Sequence, residues 1–291
     1  MISVIIPAYN EEAVIGRCLE TLLRGARPGE LEVIVACNGC RDRTADVARA
    51  FGPPVKVVET TTASKVAALN LGESVATGFP RLYLDADVRI GIDSIRAMAR
   101  VLSDPSSGAL AASPVMDMDY SPASWGVRAF YKVWRALPYT REGMVGVGTF
   151  GLSEAGRRRF DKFPDIINDD GYVRILFQAH ERPVVPDAVS TVMAPANLKG
   201  LSAIMTRSRL GMYQLRQRFP ELMGREMSNK SYGGAAKLVI SRPAMWPAAA
   251  VYLWVNLLTR FRARRQMKKI NAYVWERDDS SRGTPAAAVN A

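Results

Sequence analysis

Two aspartates separated by one residue follow an apolar run in the stretch RLYLDADVRI, residues 81–90. In a continued strand Asp85 and Asp87 would point to opposite faces, but where a strand ends the backbone turns and both can reach one site. Mg²⁺ and Mn²⁺ favour one or two carboxylates together with phosphate oxygens. The pair is therefore a candidate metal site, and a solvated acidic turn is the alternative that the tripeptide alone leaves open.

Short β-branched runs alternate with helical patterns over the first hundred residues. The predicted strands are 3–6, 32–36, 55–59 and 81–84, and the predicted helices are 12–24, 43–51, 65–76 and 92–102. This alternation predicts an α/β fold with a mostly parallel central sheet flanked by helices. Ligands of such sheets bind beyond the carboxyl ends of the strands. Residues 7–11, 37–42 and 85–87 fall at those ends.

The alternation stops after residue 120. An aromatic-rich helical stretch with Trp125, Phe130, Tyr131 and Trp134 comes first, and a Gly-rich segment follows it. The remaining predicted elements are a helix at 169–179, an extended segment at 182–194, a basic helix at 198–218 and a disordered end at 283–291.

The positive charge is concentrated in the last third of the chain. Residues 1–198 hold 22 Lys and Arg against 23 Asp and Glu, whereas residues 199–291 hold 17 against 5. This asymmetry indicates an anionic partner, either membrane phospholipid or nucleic acid. The basic region carries no nucleic-acid recognition motif and has an apolar neighbour, so we expect a membrane surface and no nucleic acid.

The apolar neighbour is residues 243–259, a run of 17 residues without charge that contains two prolines. It is shorter than the roughly 20 residues of a spanning helix, and a cluster of arginines and lysines follows it. A single span would place that cluster outside the cell, against the positive-inside rule. We therefore expect an interfacial or re-entrant helix, and the alternatives are a helix buried on the catalytic domain and a dimer contact.

Two features of the sequence predict the compartment. The chain has three cysteines, an odd number with no metal-like partners, which favours a reduced setting. It opens on MISVIIPAYNEE, without a charged region or a cleavage site of a secretory signal. We expect a cytoplasmic protein associated with the inner face of the cell membrane.

Four motifs occur in a characteristic order: VIIPAYNEEAVIGRCLETLL, VIVACNGCRDRTADVA, ASKVAALNLG and RLYLDADV. Together they resemble the N-terminal half of the inverting family 2 glycosyltransferases, which have the Rossmann-like GT-A fold. FDKFPDIINDDGYV resembles that family's acidic acceptor motif, and TRSRLG resembles its arginine motif. The resemblance implies a GT-A domain at 1–211, with a nucleotide-sugar half at 1–120 and an acceptor half at 121–211. A basic C-terminal helical extension at 212–291 follows it.

The resemblance assigns the nucleotide side of the site. Pro7 and Tyr9 would form a wall for the base, and Glu11 would help to hold the nucleoside, a role that can coexist with helix capping. Asn38 stands where the family commonly has an acid; its amide oxygen can accept from uracil N3–H, but its NH₂ group also donates, so the base stays open. Lys65 would steady a phosphate, and a solvated lysine is the alternative.

The resemblance also separates the two aspartates of the opening stretch. Asp87 is expected to coordinate Mg²⁺ or Mn²⁺, and Asp85 is expected to contact the ribose or a metal-bound water. Arg209, with Arg207 as a second candidate, would neutralise the leaving diphosphate; a solvated or lipid-facing arginine is the alternative.

Inverting transfer needs a general base for the acceptor hydroxyl. Asp169 and Asp170 match the acidic motif, with Asp170 at the position that usually carries the base. Two adjacent acids repel when both are ionised, so one of them should have a raised pKa. Helix-start acids favoured by the helix dipole are the alternative.

The sequence as a whole predicts a metal-dependent inverting glycosyltransferase. Its donor would be a nucleotide-diphospho-sugar, with UDP favoured, and its acceptor a lipid-linked or polysaccharide glycan. A catalytically weakened GT-A scaffold and a sugar-phosphate nucleotidyltransferase are the competing hypotheses. The donor sugar, the linkage and the oligomeric state are not predicted.

Overall fold

An eight-stranded mixed sheet with helices on both faces forms the centre of this computed structural model, which describes residues 1–141, 143–144, 146–227 and 242–270. The strands are β1 (Ile2–Ala8), β2 (Leu31–Asn38), β3 (Val55–Thr60), β4 (Arg81–Leu84), β5 (Arg89–Ile90), β6 (Ala111–Asp119), β7 (Thr149–Leu152) and β8 (Val184–Met193). The helices are α1 (Glu12–Leu23), α2 (Thr44–Arg49), α3 (Lys65–Val75), α4 (Ile92–Ser103), α5 (Trp125–Trp134), α6 (Glu154–Arg157), α7 (Asp169–Leu176), α8 (Leu198–Arg218), α9 (Pro220–Met227) and α10 (Trp246–Met267).

The strand order is β3-β2-β1-β4-β7-β6-β8-β5. The first four of these strands are parallel to one another. The second half of the sheet is mixed, since β7 is antiparallel to β4 and β6 whereas β8 is parallel to β6. Parallel strands end at the same edge, so the residues after β1, β2 and β4 meet there.

Both faces of β1 are buried, which explains its nearly continuous apolar sequence. Val4 and Ile6 pack with α1 and α4 on one face, while Ile5 packs with α3 and α7 on the other. All three side chains are fully buried. The strand is thereby held rigidly, and the chain that leaves its carboxyl end starts from a fixed position.

The C-terminal helix α10 packs on α5 and α8. Its buried side chains include Ala248, Val255 and Ala263. The rings of Phe130 on α5 and Tyr252 on α10 stack with their centroids 5.2 Å apart. Among the residues that the structure describes, no helix combines the length and the apolar character needed to cross a membrane.

The structure confirms the predicted α/β class and the alternation of strands and helices over the first hundred residues. It corrects the helix predicted at 169–179, because α7 ends at Leu176 and Phe177 turns to an extended backbone with its ring in the core. The boundary predicted between 211 and 212 falls inside α8. The end predicted to be disordered, 283–291, lies outside the described residues.

Candidate active site

A cleft of about 1890 Å³ opens at the carboxyl edge of the parallel strands. Strands β1, β2 and β4 supply one wall of it, and the start of α7, the length of α8 and one side of α10 supply the opposite wall. All the site residues that the sequence predicts line this one cleft: Pro7, Tyr9, Glu11, Asn38, Lys65, Asp85, Asp87, Asp169, Asp170, Arg207 and Arg209. The structure brings these residues together; their roles stay predictions.

Lys65 joins the two walls through ion pairs with two carboxylates. Its Nζ atom lies 2.8 Å from Oδ1 of Asp85, at the end of β4, and 3.1 Å from Oδ1 of Asp169, at the start of α7. Lys65 is the first residue of α3, which the Ser64 hydroxyl caps by accepting from the Ala67 N–H. The cation is thus held in position by the start of a helix, and it is not a solvated surface lysine.

Burial would lower the pKa of the Lys65 ammonium, but the carboxylates of Asp169, Asp85 and Asp170 raise it well above its usual range. Burial also raises the pKa of Asp169, although the neighbouring ammonium opposes this shift. The pKa of Asp170 rises to about 6, because of burial first and the charge of Asp169 second. A carboxyl group that titrates near pH 6 can accept a proton near neutrality and still be a competent base.

The start of α7 is fixed by contacts that the sequence prediction did not include. The N–H of Gly171 donates to Oδ1 of Asp170 at 2.8 Å and to Oδ1 of the capping residue Asn168 at 3.3 Å. Gln214 on α8 accepts from the backbone just before Asn168. A Cβ at Gly211 would lie 2.5 Å from the Cβ of Asn168, so only glycine lets α8 approach this closely. An asparagine directly before an acid pair was a readable capping signal.

The loop before β7 supports the backbone of Asp85, the carboxylate that Lys65 contacts on the sheet side of the cleft. The backbone N–H of Asp85 donates to the carbonyl of Gly148 at 2.8 Å. Gly148 has a φ of +58°, and a Cβ at this position would clash with the side chain of Val88. The Gly-rich segment of the sequence therefore positions the end of β4, a role that its composition alone did not reveal.

The nucleotide-side residues lie beyond β1 and β2. Asn38 is only 3% exposed, and its Oδ1 atom has no hydrogen-bond partner among the described residues. An unsatisfied buried acceptor costs about 1–3 kcal/mol, so a donor on a bound ligand would stabilise it. Glu11 precedes α1, and its side chain makes no capping hydrogen bond.

Asp85 and Asp87 fit a divalent cation that is completed by a substrate. Both carboxylates line the cleft, and the described residues contain no group of three or more His, Cys, Asp or Glu side chains placed to hold a metal. Two carboxylates without further protein ligands suit Mg²⁺ or Mn²⁺ when phosphate oxygens complete the shell. The two aspartates therefore fit a divalent cation that other ligands complete, and their role as metal ligands stays a prediction.

The two arginines of α8 that the sequence predicts for the site, Arg207 and Arg209, differ in their surroundings. Nε of Arg209 donates to the Thr259 hydroxyl at 2.9 Å, and its guanidinium also donates to the side chain of Asn256. Burial lowers the pKa of Arg209, and the nearby charge of Arg260 lowers it further. Arg209 therefore ties α8 to α10 while it lines the cleft. Arg207 also lines the cleft, two residues earlier on the same helix.

Sequence reasoning missed an aromatic and basic part of the cleft. These lining residues are Phe130, Tyr131 and Trp134 on α5, Arg216 and Arg218 on α8, and Arg260 and Arg264 on α10. The aromatic-rich stretch and the polybasic stretch were both visible in the sequence. Nothing in either pattern indicated that the two would face the same cavity.

Replacement of Asp170 by Asn should stabilise the protein more at alkaline than at acidic pH. The folded-state pKa of about 6 lies above the ordinary aspartate pKa of 3.8, so the folded protein retains a proton that the unfolded chain has lost. Stability should therefore fall as pH rises through this window, by up to about 3 kcal/mol, and Asp170→Asn removes that loss. Thermal unfolding at pH 4.5 and pH 8 measures the difference.

Asp161 is exposed, and Asp161→Asn is the control. It should change the melting temperature little, and by the same amount at both pH values. An Asp170→Asn stability gain that is the same at both pH values would contradict the raised pKa.

Comparison with known proteins agrees with this geometry. The sequence model described as Glycosyl transferase family 2 matches residues 3–159, which is more than half of the chain. The chain is 28% identical over 152 residues to an uncharacterized glycosyltransferase of Escherichia coli, YibD, covering 51% of this chain and 41% of that protein. It is 27% identical over 228 residues to an N-acetylglucosaminyltransferase of Rhizobium meliloti, covering 68% of this chain and 52% of that protein.

The chain thus spans about half the length, or less, of these curated relatives. Among solved structures, the mannosyltransferase PcManGT from Pyrobaculum calidifontis, in complex with GDP-Man and Mn²⁺, superposes with a TM-score of 0.65. The two share 21% identity, and the match covers 92% of this chain and 86% of that one, which shows a common fold. By the family match and this architecture, the chain belongs to glycosyl transferase family 2 and has the GT-A fold.

Proposed function

We propose that the protein is an inverting glycosyltransferase that moves a sugar from a nucleotide-diphospho-sugar to an acceptor hydroxyl. One observation carries the proposal: Lys65 joins the nucleotide-side wall of the cleft to the acid pair on the opposite wall, of which Asp169 is buried. In a member of this family, such a cleft has room for the donor on one side and for the acceptor on the other.

The donor nucleoside would lie beyond β1 and β2. Pro7 and Tyr9 line the cleft there, and the unsatisfied buried oxygen of Asn38 would accept from an imide N–H of the base. Uracil offers its N3–H, which favours a UDP-sugar. Glu11, just before α1, would help to hold the nucleoside.

The donor diphosphate would lie against Asp85 and Asp87 together with Mg²⁺ or Mn²⁺. When bound, the metal supplies positive charge that offsets the charge developing on the leaving diphosphate. Lys65 supplies a further cation on this side of the cleft, and Arg207 and Arg209 supply guanidinium groups from α8.

The base would be Asp170, with Asp169 as its neighbour. Asp170 removes the proton of the acceptor hydroxyl as the hydroxyl oxygen attacks the anomeric carbon from the side opposite the diphosphate. The raised pKa supports this role, since the group titrates near the pH at which it would work. Asp169 contributes by repelling the second negative charge and by holding Lys65.

The acceptor would be a lipid-linked or polysaccharide glycan, handled at the cytoplasmic face of the membrane. Two features support this location: the positive charge lies in the last third of the chain, and α10 exposes large apolar side chains. Arginines and tryptophans in this combination suit an anionic lipid surface.

Asp87→Ala should abolish metal-dependent donor binding, because it removes the carboxylate expected to coordinate the metal. Calorimetric titration with UDP-, GDP- and dTDP-sugars, with and without Mn²⁺ or Mg²⁺, measures this. Asp93→Ala, whose side chain is 91% exposed on α4, is the matched control and should bind as wild type does. Wild-type protein that binds none of these donors would overturn the proposed function.

Asp170→Asn should lower turnover about 10²–10⁴-fold while donor affinity is retained, because only proton removal is lost. Release of the nucleoside diphosphate measures turnover whatever the acceptor is. Wild-type turnover that survives unchanged in Asp170→Asn would refute Asp170 as the base. Donor binding by a wild-type protein that never turns over would instead support the scaffold hypothesis.

A further inference from the structure

Helix α10 presents three different faces along its length. One face is buried against α5 and α8 and carries Ala248, Val255, Thr259 and Ala263. A second face lines the cleft, with Tyr252, Asn256, Arg260 and Arg264 spaced four residues apart. This spacing keeps the second group on one side of the helix.

The third face is apolar and exposed, and we call it the exposed stripe. Its members are Trp246, Leu253, Trp254, Leu257 and Phe261, each more than half exposed. At about 100° per residue, the buried face, the cleft face and the exposed stripe follow one another around the helix axis. The exposed stripe therefore borders the face that lines the cleft.

The charged residues of α10 and of the turn just after it are all cations. Residues 243–270 contain several arginines and lysines but no aspartate or glutamate. Arg265 is exposed, and its guanidinium lies 5.6 Å from the ring centre of Phe261. Lys268 and Lys269 are exposed just beyond the end of α10. An apolar stripe with cations beside it and at its end is complementary to an anionic bilayer.

The end of the cleft beside α10 is also largely apolar. Met118, Phe130, Tyr131 and Trp134 line it, and the Tyr252 ring stacks on Phe130. Arg260 and Arg264 lie on the same wall, on the side nearest the exposed stripe. A ligand with an apolar body and an anionic group matches these surroundings better than a hydrated oligosaccharide does.

We propose that α10 rests on an anionic bilayer through its exposed stripe, and that the acceptor is a phosphate-bearing, lipid-linked glycan that enters the cleft from the membrane along this helix and presents its acceptor hydroxyl to Asp170. The inference rests on the proposed function and specifies its acceptor. Arg260 and Arg264 bind the phosphate of the acceptor, the aromatic residues of α5 contact its apolar chain, and Arg209 keeps α10 against α8.

Membrane docking is tested with the full chain and two vesicle types, phosphatidylcholine alone and phosphatidylcholine with phosphatidylglycerol. The protein should sediment with the anionic vesicles, and Leu257→Asp/Phe261→Asp should lower that binding about tenfold. Val115→Asp is the matched control, because Val115 is also an exposed apolar residue but lies on β6. It should bind vesicles as wild type does.

Two results would overturn docking. One is that the wild-type chain does not sediment with anionic vesicles, or that the double variant sediments with them as well as the wild type does. The other is a dimer in lipid-free solution, seen by analytical ultracentrifugation, that Leu257→Asp/Phe261→Asp dissociates. That outcome would assign the exposed stripe to a contact between two copies of the chain.

Acceptor chemistry is tested with dodecyl phosphate as the probe, in the presence of saturating UDP and Mn²⁺ so that the donor side is filled. Dodecyl phosphate should bind below its micelle concentration and dodecyl maltoside should not. Arg260→Gln/Arg264→Gln should weaken dodecyl phosphate binding about tenfold, since two charge-assisted contacts are lost. Arg24→Gln/Arg27→Gln, at exposed positions after α1, is the control pair.

Equal binding of the two amphiphiles, or wild-type affinity in the Arg260 and Arg264 double variant, would overturn the acceptor assignment. Titration of the wild-type protein with nucleotide sugars distinguishes failure of the acceptor assignment from failure of the proposed function. Donor binding without dodecyl phosphate binding would refute only the lipid acceptor, whereas loss of donor binding would refute the proposed function itself.

Discussion

The partly buried cation of Lys65 is the interaction on which the cleft depends. Its ion pairs reach Asp85 on the sheet and Asp169 on α7, two elements that are more than 80 residues apart in sequence. Without this cation, the carboxylates of the two walls would face each other across a poorly solvated space, and their repulsion would be opposed by little else. The same contact sets the electrostatics of the neighbouring acid, because the ammonium lowers a pKa that burial and Asp169 raise.

Two groups in the cleft, Asn38 and Asp170, lower the stability of the folded chain. Asn38 holds a buried oxygen without a partner among the described residues, and Asp170 is an acid whose ionisation the fold resists. Rigid supports offset these losses: the β1 core, the capped start of α3, and the close approach of Gly211 to Asn168. Groups that are unfavourable in the empty protein and well supported by their neighbours are typical of binding and catalytic sites.

The sequence predicted the sheet side of this arrangement well, because parallel strands bring their carboxyl ends to one edge whatever the rest of the chain does. The family resemblance located Asp169 and Asp170. It did not predict the contact of Lys65 with both walls, since no periodic pattern in a sequence encodes a pairing between residues so far apart in the chain. The placement of helix α10 was harder to predict from the sequence. Its three faces are distinguished only by what they contact, and the placement of Tyr252 against Phe130 depends on tertiary packing. β6 and β7 were not predicted, because the sequence analysis assigned no strand between residues 103 and 168.

The central claim is that one cation couples the donor wall to the base, and the pH profile of Lys65→Met tests it most directly. Wild-type kcat/KM should rise with pH and reach half its plateau near pH 6, where Asp170 titrates. Removal of the ammonium should move that midpoint upward by about one pH unit or more, and should weaken donor binding in the same variant. An unchanged midpoint in a folded, active Lys65→Met protein would contradict the account.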